Sequence, residues 1–296
     1  MEWPLKALIF GANGQDGRFL SALLESKFKA KVLGVSRSGG SVRGDVGDST
    51  FVASVIREYE PELIFHLAAE SSTRHEALFE NHSAISTGTL NILESVRRYA
   101  PSAKVFLSGS AMQFRNEGLP IDEQTPFEAS SPYSIARIQS VYAARYFRKA
   151  FGMRIYVGFF FNHDSQFRSE RHVNQKIVAA AHRIAGGSTE KLVLGNIQVR
   201  KEFNYAADMV DAGMTLIGQE NVFEAVIGSG KAHTIEEWVD YCFSKVGLDW
   251  RKSVEQEKNY VPEYQTLVSD PSLIRRLGWA PQVDLAGLAD IMMGAS

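Results

Sequence analysis

Short apolar segments alternate with segments of helical periodicity through the first half of the chain, and this alternation constrains the fold most strongly. Apolar runs predict strands over residues 5–10, 31–35, 62–69, 104–110 and 154–161. Between them, apolar residues at helical spacing predict helices over residues 18–28, 50–59, 80–99 and 133–151. Strands that are apolar along their whole length are typical of a parallel sheet covered on both faces. We therefore predict an α/β fold with a doubly wound parallel sheet.

A glycine-rich turn, GANGQDG, joins the first predicted strand to the first predicted helix. Gly11, Gly14 and Gly17 would let backbone N–H groups and the helix N-terminus face a pyrophosphate. Glycine triplets alone are weak evidence, and this spacing is G-x-x-G-x-x-G, but the required strand and helix flank it. We predict a dinucleotide-binding loop in a Rossmann-type sheet, and we assign the other polar loop residues, Asn13, Gln15 and Asp16, to the same cofactor site.

The end of the second predicted strand, VSRSGG, bears on the choice of dinucleotide. An acidic residue there binds the ribose 2′-hydroxyl of NAD, whereas arginine accommodates the 2′-phosphate of NADP. The chain offers Ser36 and Arg37, with Arg43 nearby, so we predict NADP(H). The alternative is that Arg37 is a solvated surface residue. We expect five further residues to flank the adenine or to let the cofactor lie against the third α/β unit: Asp45, Val46, Leu67, Ala68 and Ala69.

The second half of the chain is less regular. Helical patterns cover residues 171–186, 208–218 and 234–247, and residues 224–230 predict a strand and a turn. Thr234 and Glu237 have the spacing of a capping box. We expect residues 1–161 to form mainly the dinucleotide-binding Rossmann domain. Residues 162–296 would then form mainly a smaller, interleaved substrate-binding region, with segments near 205–230 returning to the Rossmann domain.

Composition narrows the class of protein. The net charge of −2 gives no electrostatic reason to expect nucleic acid or a membrane surface as the main partner. No apolar run reaches the ~18 residues needed to span a bilayer, and the N-terminus lacks the features of a signal peptide. The single cysteine, Cys242, lies in an apolar-periodic stretch, which favours a buried core thiol. The histidines lack metal-site spacing, so we predict no metal site, and we expect a soluble cytoplasmic protein.

Four features in chain order resemble the extended short-chain dehydrogenase/reductase family: the glycine loop, HLAA, SGS and SPYSIAR. Longer stretches closely resemble the GDP-mannose 4,6-dehydratase family within it: GQDGRFL, TPFEASSPYSIA, FFFNHDSQFRSERHVNQKI and LVLGNIQVRKEF. The resemblance runs from Leu5 to about Pro281, and it implies an NADP-binding domain and a GDP-sugar substrate. The loop after the second strand is shorter than the corresponding loop of that family, and the family's long loop supports a tetramer. We therefore expect a homodimer, formed through the helices near 80–99 and 133–150.

The resemblance also implies which residues contact the substrate. Matching positions of the family meet the substrate, line its nucleotide pocket or contact its ribose, and this chain keeps the residue types: Asn162, Arg168, Val173, Lys176 and Glu263. Lys201 and Tyr260 stand where the family has two arginines of the diphosphate site, which weakens bidentate phosphate recognition. Without the resemblance, basic residues on a helix face are by default solvated charges.

By the same resemblance, Tyr133 takes the proton of the sugar O4 while the C4 hydride passes to NADP⁺. Arg137 lies four residues on, on the same helix face, where the family has a lysine that holds the nicotinamide ribose. Arginine keeps the positive charge that would depress the pKa of the tyrosine, but it cannot relay a proton. The family's threonine, which bonds O4, falls on Gly109, so Ser110 or Ser108 would supply the hydroxyl if the loop shifts by one residue.

Dehydration needs a carboxylate that the chain lacks at the matching place. The family's glutamate, which removes the C5 proton, falls on Ala111, and SGSAMQF contains no acidic residue. Glu70, new relative to the family, is either a relocated base or a structural residue that bonds nearby backbone. We favour hydride transfer at C4, of the 4-keto reductase or epimerase type, over full 4,6-dehydration. A catalytically weak protein that binds NADP(H) and a nucleotide sugar remains the third alternative.

Overall fold

The structure, a computed structural model, describes residues 4–294. Its strands are β1 (Lys6–Phe10), β2 (Lys31–Ser36), β3 (Val42–Arg43), β4 (Leu63–His66), β5 (Lys104–Ser110), β6 (Arg154–Phe160), β7 (His163–Asp164), β8 (Leu192–Leu194), β9 (Arg200–Glu202), β10 (Asn204–Tyr205), β11 (Glu224–Ile227), β12 (Ala232–Thr234), β13 (Val254–Gln256) and β14 (Thr266–Leu267). Its α-helices are α1 (Gln15–Phe28), α2 (Ser49–Tyr59), α3 (Leu78–Asn81), α4 (Gly88–Tyr99), α5 (Pro132–Phe151), α6 (Val173–Ala185), α7 (Ala206–Ile217), α8 (Ile235–Lys245), α9 (Ser272–Arg276) and α10 (Leu285–Met293). A π-helical segment, His82–Thr87, joins α3 to α4.

Seven parallel strands form the central sheet in the order β3-β2-β1-β4-β5-β6-β11. β1 pairs with β2 on one side and with β4 on the other, so the winding of the chain reverses at β1. In open α/β sheets, ligands bind at such a switch point, beyond the carboxyl ends of the strands. The predicted α/β fold with a Rossmann-type, doubly wound parallel sheet is therefore confirmed.

Helices cover both faces of the sheet because successive strand residues point to opposite sides. Leu8 and Phe10 of β1 pack in a cluster with residues of α2, α4 and α5. Ala7 and Ile9 pack in a second cluster with residues of α1 and α7. Burial on both faces explains why these strands are apolar along their whole length.

A third cluster forms beside the sheet, where α6, α8 and α10 enclose Trp238, Phe243 and Leu288. Cys242 is buried in this cluster, as predicted, and burial raises the pKa of its thiol. The predicted capping box opens α8, with the Thr234 hydroxyl accepting the N–H of Glu237 at 3.0 Å. Across residues 4–294, none of the helices combines the length and the apolar character that crossing a membrane requires.

Glu202, at the end of β9, ties the small sheet β12-β9-β14 to the turn that follows β11. Its carboxylate is buried, with no exposed surface. It accepts the backbone N–H groups of Ser229 and Ser269, both at 2.6 Å, and that of Gly230 at 3.2 Å. The Ser269 hydroxyl and the Asn204 amide also donate to it, at 2.5 and 2.9 Å. One carboxylate thus satisfies donors from three separate chain segments.

We expect Glu202→Gln to lower the free energy of unfolding by about 2–3 kcal/mol, because the new amide would point a donor at backbone N–H groups. Urea denaturation followed by circular dichroism measures the change. The control is Glu255→Gln, since Glu255 is exposed on β13 and should alter stability by no more than about 0.5 kcal/mol. Equal effects of the two substitutions would contradict the assignment.

Candidate functional site

A cleft of two joined cavities, each about 410 Å³, lies at the carboxyl ends of the central strands. Gly11, Gly14, Leu67 and Ala69 line both of them. The loop cavity is the half over β1 and β2, lined also by Phe10, Val35, Ser36, Arg37, Ser38, Gly44, Asp45, Val46, Ala68 and Ala84. The tyrosine cavity is the other half, and it reaches Tyr133, Arg137, Asn162 and Glu263. The cleft therefore extends from the end of β2 to the start of α5.

The glycine loop fits its place only without side chains at two positions. Gly11 has a φ of +94°, and a Cβ there would lie 2.6 Å from the backbone N of Ala68. A Cβ on Gly17 would lie 2.4 Å from the carbonyl oxygen of Gly11. The Gly11 and Ala12 N–H groups donate to the Val35 carbonyl at 2.9 and 3.2 Å. The loop is thus held against β2 and β4, and α1 begins at the cleft.

The structure brings most of the predicted cofactor residues into the loop cavity: Gly11, Gly14, Ser36, Arg37, Asp45, Val46, Leu67, Ala68 and Ala69. Asn13 lines neither cavity, because its side-chain amide donates to the Gly39 carbonyl at 2.6 Å and closes the turn after β2. Gln15, Asp16 and Gly17 line the tyrosine cavity instead of the loop cavity. Arg43 supports Arg37 by donating from Nε to its carbonyl oxygen at 3.1 Å.

The first turn of α5 positions Tyr133. Ser131 caps this helix, its hydroxyl accepting the Ser134 N–H at 3.1 Å, and Pro132 takes the first helical position, where its missing N–H costs nothing. Tyr133 is 9% exposed and packs with Ile85 and Ala136. The ring is therefore fixed by packing while it lines the tyrosine cavity.

Arg137 lies one turn further along α5 and is 6% exposed. Its Nη1 donates to the carbonyl oxygen of Ser108 and, at 2.9 Å, to the Ser108 hydroxyl. Its guanidinium carbon lies 5.1 Å from the ring centroid of Tyr133. Among the described residues, its buried Nε has no hydrogen-bond partner. Arginine thus keeps a positive charge beside the tyrosine and clamps α5 to the end of β5.

Ser108 and Ser110, the two predicted hydroxyls, have different surroundings. Ser108 donates its hydroxyl to the carbonyl oxygen of His66 at 3.1 Å, so its proton is committed to the fold. Ser110 accepts the Met112 N–H at 3.2 Å and lines the tyrosine cavity. Ser110 is therefore the hydroxyl that is free to donate to a ligand. Burial, with the Arg137 guanidinium nearby, lowers the pKa of His66 to about 4, which keeps that imidazole neutral.

Carboxylates are scarce in the tyrosine cavity. Of the described residues that line it, Asp16 and Glu263 are acidic. Asp16 lies 3.0 Å from His163 Nε2, and Glu263 accepts the hydroxyl of Thr73. Ala111, where the family's base was expected, is 2% exposed and packs in the sheet core. Both carboxylates of the described cavity wall are thus already paired, and neither is a free base beside Tyr133.

Glu70 does not line the tyrosine cavity. It faces a separate surface cavity with His75 and Glu80, and its carboxylate accepts the Ser72 N–H at 3.2 Å. This contact matches the second alternative of the sequence analysis, in which Glu70 is a structural residue that bonds nearby backbone. The alternative of Glu70 as a relocated base is not supported by its position.

The predicted substrate residues divide into two sets. Asn162, Arg168 and Glu263 line the tyrosine cavity. Val173 and Lys176 do not, and the Lys176 ammonium donates to the Val193 carbonyl at 2.7 Å. Lys201 is buried close to Arg168 but is absent from the cavity wall, and burial lowers the pKa of its ammonium despite the nearby carboxylate of Asp164.

The sequence analysis missed several residues of the tyrosine cavity, among them Thr73, His172 and Tyr264. Burial lowers the pKa of His172 to about 4, and the Arg168 guanidinium acts in the same direction, so a neutral imidazole faces the cavity. Burial raises the pKa of the Tyr264 hydroxyl far above its ordinary value. His172 lay inside the helix predicted over residues 171–186, whereas α6 begins one residue later, at Val173, and nothing in the sequence indicated that His172 faces the cavity.

Comparison with known proteins agrees with this geometry. The family model described as GDP-mannose 4,6 dehydratase matches residues 8–292. GDP-mannose 4,6 dehydratase 1 of Arabidopsis thaliana is 30% identical, over 97% of this chain and 88% of its own. Two solved structures share the fold over nearly the whole chain. RMD from Pseudomonas aeruginosa, complexed with NADPH, has a TM-score of 0.87 at 18% identity and covers 98% of this chain and 97% of its own. dTDP-glucose 4,6-dehydratase from Bacillus anthracis, in complex with NAD, has a TM-score of 0.85 at 20% identity and covers 97% and 95%.

The match to the family model spans almost the whole described chain, including the glycine loop, Tyr133 and the segment from Asn162 to Lys176. The predicted resemblance is therefore confirmed: the chain belongs to the GDP-mannose 4,6-dehydratase family, an enzyme family of the extended short-chain dehydrogenases/reductases.

Proposed function

We propose that the protein is an NADP(H)-dependent enzyme that transfers hydride at C4 of a GDP-linked or similar nucleotide sugar, as a 4-keto reductase or epimerase. One observation carries the proposal. Tyr133, Arg137 and Ser110 line a cavity that joins the glycine loop, and the two carboxylates of its described wall are both bonded to other residues. Hydride transfer with a tyrosine proton donor needs no further base, whereas loss of water from C5 and C6 does.

The residues present fit a dinucleotide. The Gly11 and Gly17 positions leave room only for backbone, as the tight turn and the close helix packing of a dinucleotide-binding loop require. The buried Nε of Arg137, without a partner in residues 4–294, is a donor suited to a ribose hydroxyl. A bound NADP(H) would supply or accept the hydride. The protein would hold it with the loop cavity and would aim its reactive end into the tyrosine cavity.

Each side chain then has a definite role. In the reductive direction, Tyr133 gives its phenolic proton to O4 as C4 receives the hydride, and in the oxidative direction it takes that proton back. Ser110 donates a hydrogen bond to O4. Arg137 compensates the negative charge that develops on the tyrosine oxygen, and because it stays protonated it moves no proton itself.

Arg37 supports NADP(H) over NAD(H). It lines the loop cavity at the end of β2, where an NAD-binding protein would carry an acidic residue. Asp45 also lines this cavity, but its carboxylate accepts the Gly47 N–H at 2.8 Å and holds the turn before α2. The Pseudomonas aeruginosa and Bacillus anthracis structures contain NADPH and NAD respectively, so the shared fold accommodates either dinucleotide.

Asn162, Arg168 and Glu263 support a nucleotide-sugar substrate, since they line the tyrosine cavity together with Tyr133. The relatives named GDP-mannose 4,6-dehydratase favour a GDP-linked sugar. This arrangement fits a division in which residues 1–161 hold mainly the dinucleotide and residues 162–296 mainly the substrate. The segment near 205–230 supplies α7 and β11, and β11 pairs with β6 in the central sheet.

The decisive experiment supplies NADPH with a GDP-linked 4-keto sugar, and separately NADP⁺ with GDP-mannose. We expect oxidation of NADPH and a sugar product heavier by two hydrogens in the first mixture. Tyr133→Phe should lower this turnover by about 10²–10⁴-fold while NADPH still binds, because only the proton donor is lost. The control is Tyr241→Phe, because Tyr241 is exposed on α8 and lines neither cavity.

Mass spectrometry of the second mixture separates the alternatives. A product lighter by one water identifies a 4,6-dehydratase with a relocated base and overturns the preference for simple hydride transfer. Tight NADPH binding without hydride exchange with any nucleotide sugar identifies a catalytically weak binding protein.

We expect Arg37→Ala to raise the Kd of NADPH by about 10–100-fold and to leave the Kd of NADH nearly unchanged. A charge-assisted hydrogen bond to a phosphate contributes about 1.5–3 kcal/mol, and NADH has no 2′-phosphate. Fluorescence titration measures both constants. Arg57→Ala, on the exposed surface of α2, serves as the control, and equal losses for both dinucleotides would contradict NADP(H) selection by Arg37.

We also propose that two copies of the chain pair through α4 and α5. These adjacent helices expose Leu90, Ile135, Tyr142 and Tyr146, with exposed fractions of 39–59%. A second copy related by a twofold axis would present the same residues and cover them. Sedimentation should show a dimer that the double substitution Tyr142→Glu/Tyr146→Glu converts to a monomer. Tyr241→Glu on α8 should leave the mass unchanged, and a monomeric wild type would contradict the proposal.

A further inference from the structure

The first turn of α1 is bonded to the segment that follows β6. The Gln15 side-chain oxygen accepts the Ser165 hydroxyl at 2.8 Å. The Asp16 carboxylate oxygens lie 3.0 and 3.1 Å from His163 Nε2. Two consecutive residues of the glycine loop thus hold two residues of the segment 162–168.

The geometry around His163 favours an ion pair with Asp16. His163 Nε2 faces the carboxylate, and Nδ1 lies 2.8 Å from the carbonyl oxygen of Phe161. Both ring nitrogens face acceptors, and only an imidazolium can donate from both. Burial opposes this charge and so does the guanidinium of Arg168, but the Asp16 carboxylate outweighs them and raises the pKa of His163.

Aromatic contacts extend this junction along α1. The guanidinium carbon of Arg18 lies 5.1 Å from the ring centroid of Phe167. The rings of Phe19 and Phe167 lie 5.3 Å apart. The segment 162–168 is therefore packed on α1 over more than one helical turn, with the ion pair at the end nearest the cleft.

The ion pair joins the glycine loop to a segment that lines the tyrosine cavity. Asp16 lies two residues after Gly14 in the first turn of α1, so it is part of the glycine loop. His163 follows Asn162, and the same segment carries Arg168; both Asn162 and Arg168 line the tyrosine cavity. The ion pair therefore connects the glycine loop to the segment that carries two residues of the tyrosine cavity.

We propose that Asp16 and His163 are positioning residues that couple dinucleotide binding to the ordering of the substrate segment 162–168. Binding at the glycine loop restricts the first turn of α1, and the ion pair passes this restriction to Asn162 and Arg168. Because less ordering then remains to be done, the nucleotide sugar binds more tightly, and by linkage it tightens the dinucleotide equally. The inference rests on the proposed function for the identity of both ligands.

Hydrogen exchange tests the coupling without the sugar. At saturating NADPH, peptides that cover residues 162–172 should exchange at least about fivefold more slowly than in the free wild type, a size typical of coupled sites. In His163→Gln, with NADPH raised to the same saturation, this slowing should disappear. The matched control is His233→Gln, because His233 on β12 also pairs with a carboxylate, that of Glu237 on α8, at 3.3 Å.

Binding constants supply the second readout. In the wild type, NADP⁺ should lower the Kd of GDP-mannose at least about fivefold, and in His163→Gln the ratio should approach one. If His163→Gln does not fold, the same ratio of Kd values is measured in Asp16→Asn. The double variant Asp16→Asn/His163→Gln should recover part of the ratio, because its two amides can hydrogen-bond each other; a merely local packing role predicts additive losses instead.

The outcomes separate the two proposals. Wild-type protein that binds NADPH with no change in exchange of residues 162–172 overturns the coupling and leaves the proposed function standing. An unchanged slowing in His163→Gln also overturns it. Wild-type protein that binds neither NADPH nor NADH overturns both.

Discussion

The close contact of the glycine loop with the ends of β2 and β4 is the constraint on which the rest of the site depends. Gly11 lies so near Ala68 that no side chain fits between them, and its N–H is bound by Val35 of β2. The loop therefore leaves β1 at the carboxyl end of the sheet, at the point where the winding of the chain reverses, and leads directly into α1. Every functional surface of the cleft is built around that turn: the end of β2 on one side, and Tyr133 and the segment after β6 on the other.

Arg137 stands where the family has a lysine, and the change from lysine to arginine alters what this position contacts. Arginine has more donors than lysine and a longer planar head, and here it reaches the end of β5, where it binds both the carbonyl and the hydroxyl of Ser108. Ser108 in turn donates to His66 at the end of β4. The guanidinium thus links α5 to two central strands while it stays beside Tyr133. The positive charge beside the tyrosine is therefore kept, but the conformational freedom that a lysine side chain would have is lost.

Much of the fold followed from local patterns. The strand β5 and the capping box of α8 were predicted with the correct residues, because strand hydrophobicity and capping chemistry depend on neighbours in the sequence. The predicted strand over 62–69 was too long: β4 ends at His66, since Leu67 to Ala69 leave the sheet to pass over the glycine loop. The predicted helix over 80–99 begins earlier, at Leu78, through a π-helical segment that periodicity does not reveal.

The sequence by itself determined the apolar strands, the glycine loop, and the presence of Tyr133 and Arg137 one turn apart on a helix, because each of these is a local property of residue type and spacing. Only the tertiary structure decided the rest. It separated Ser110 from Ser108 by showing which hydroxyl is already bonded, placed Glu70 in another cavity, and turned Asn13 and Lys176 toward backbone carbonyls. It also joined Asp16 to His163 and brought Thr73 against Glu263. Those contacts join residues far apart in the chain, so their existence depends on how the elements pack, which the spacing of residues along the sequence does not encode.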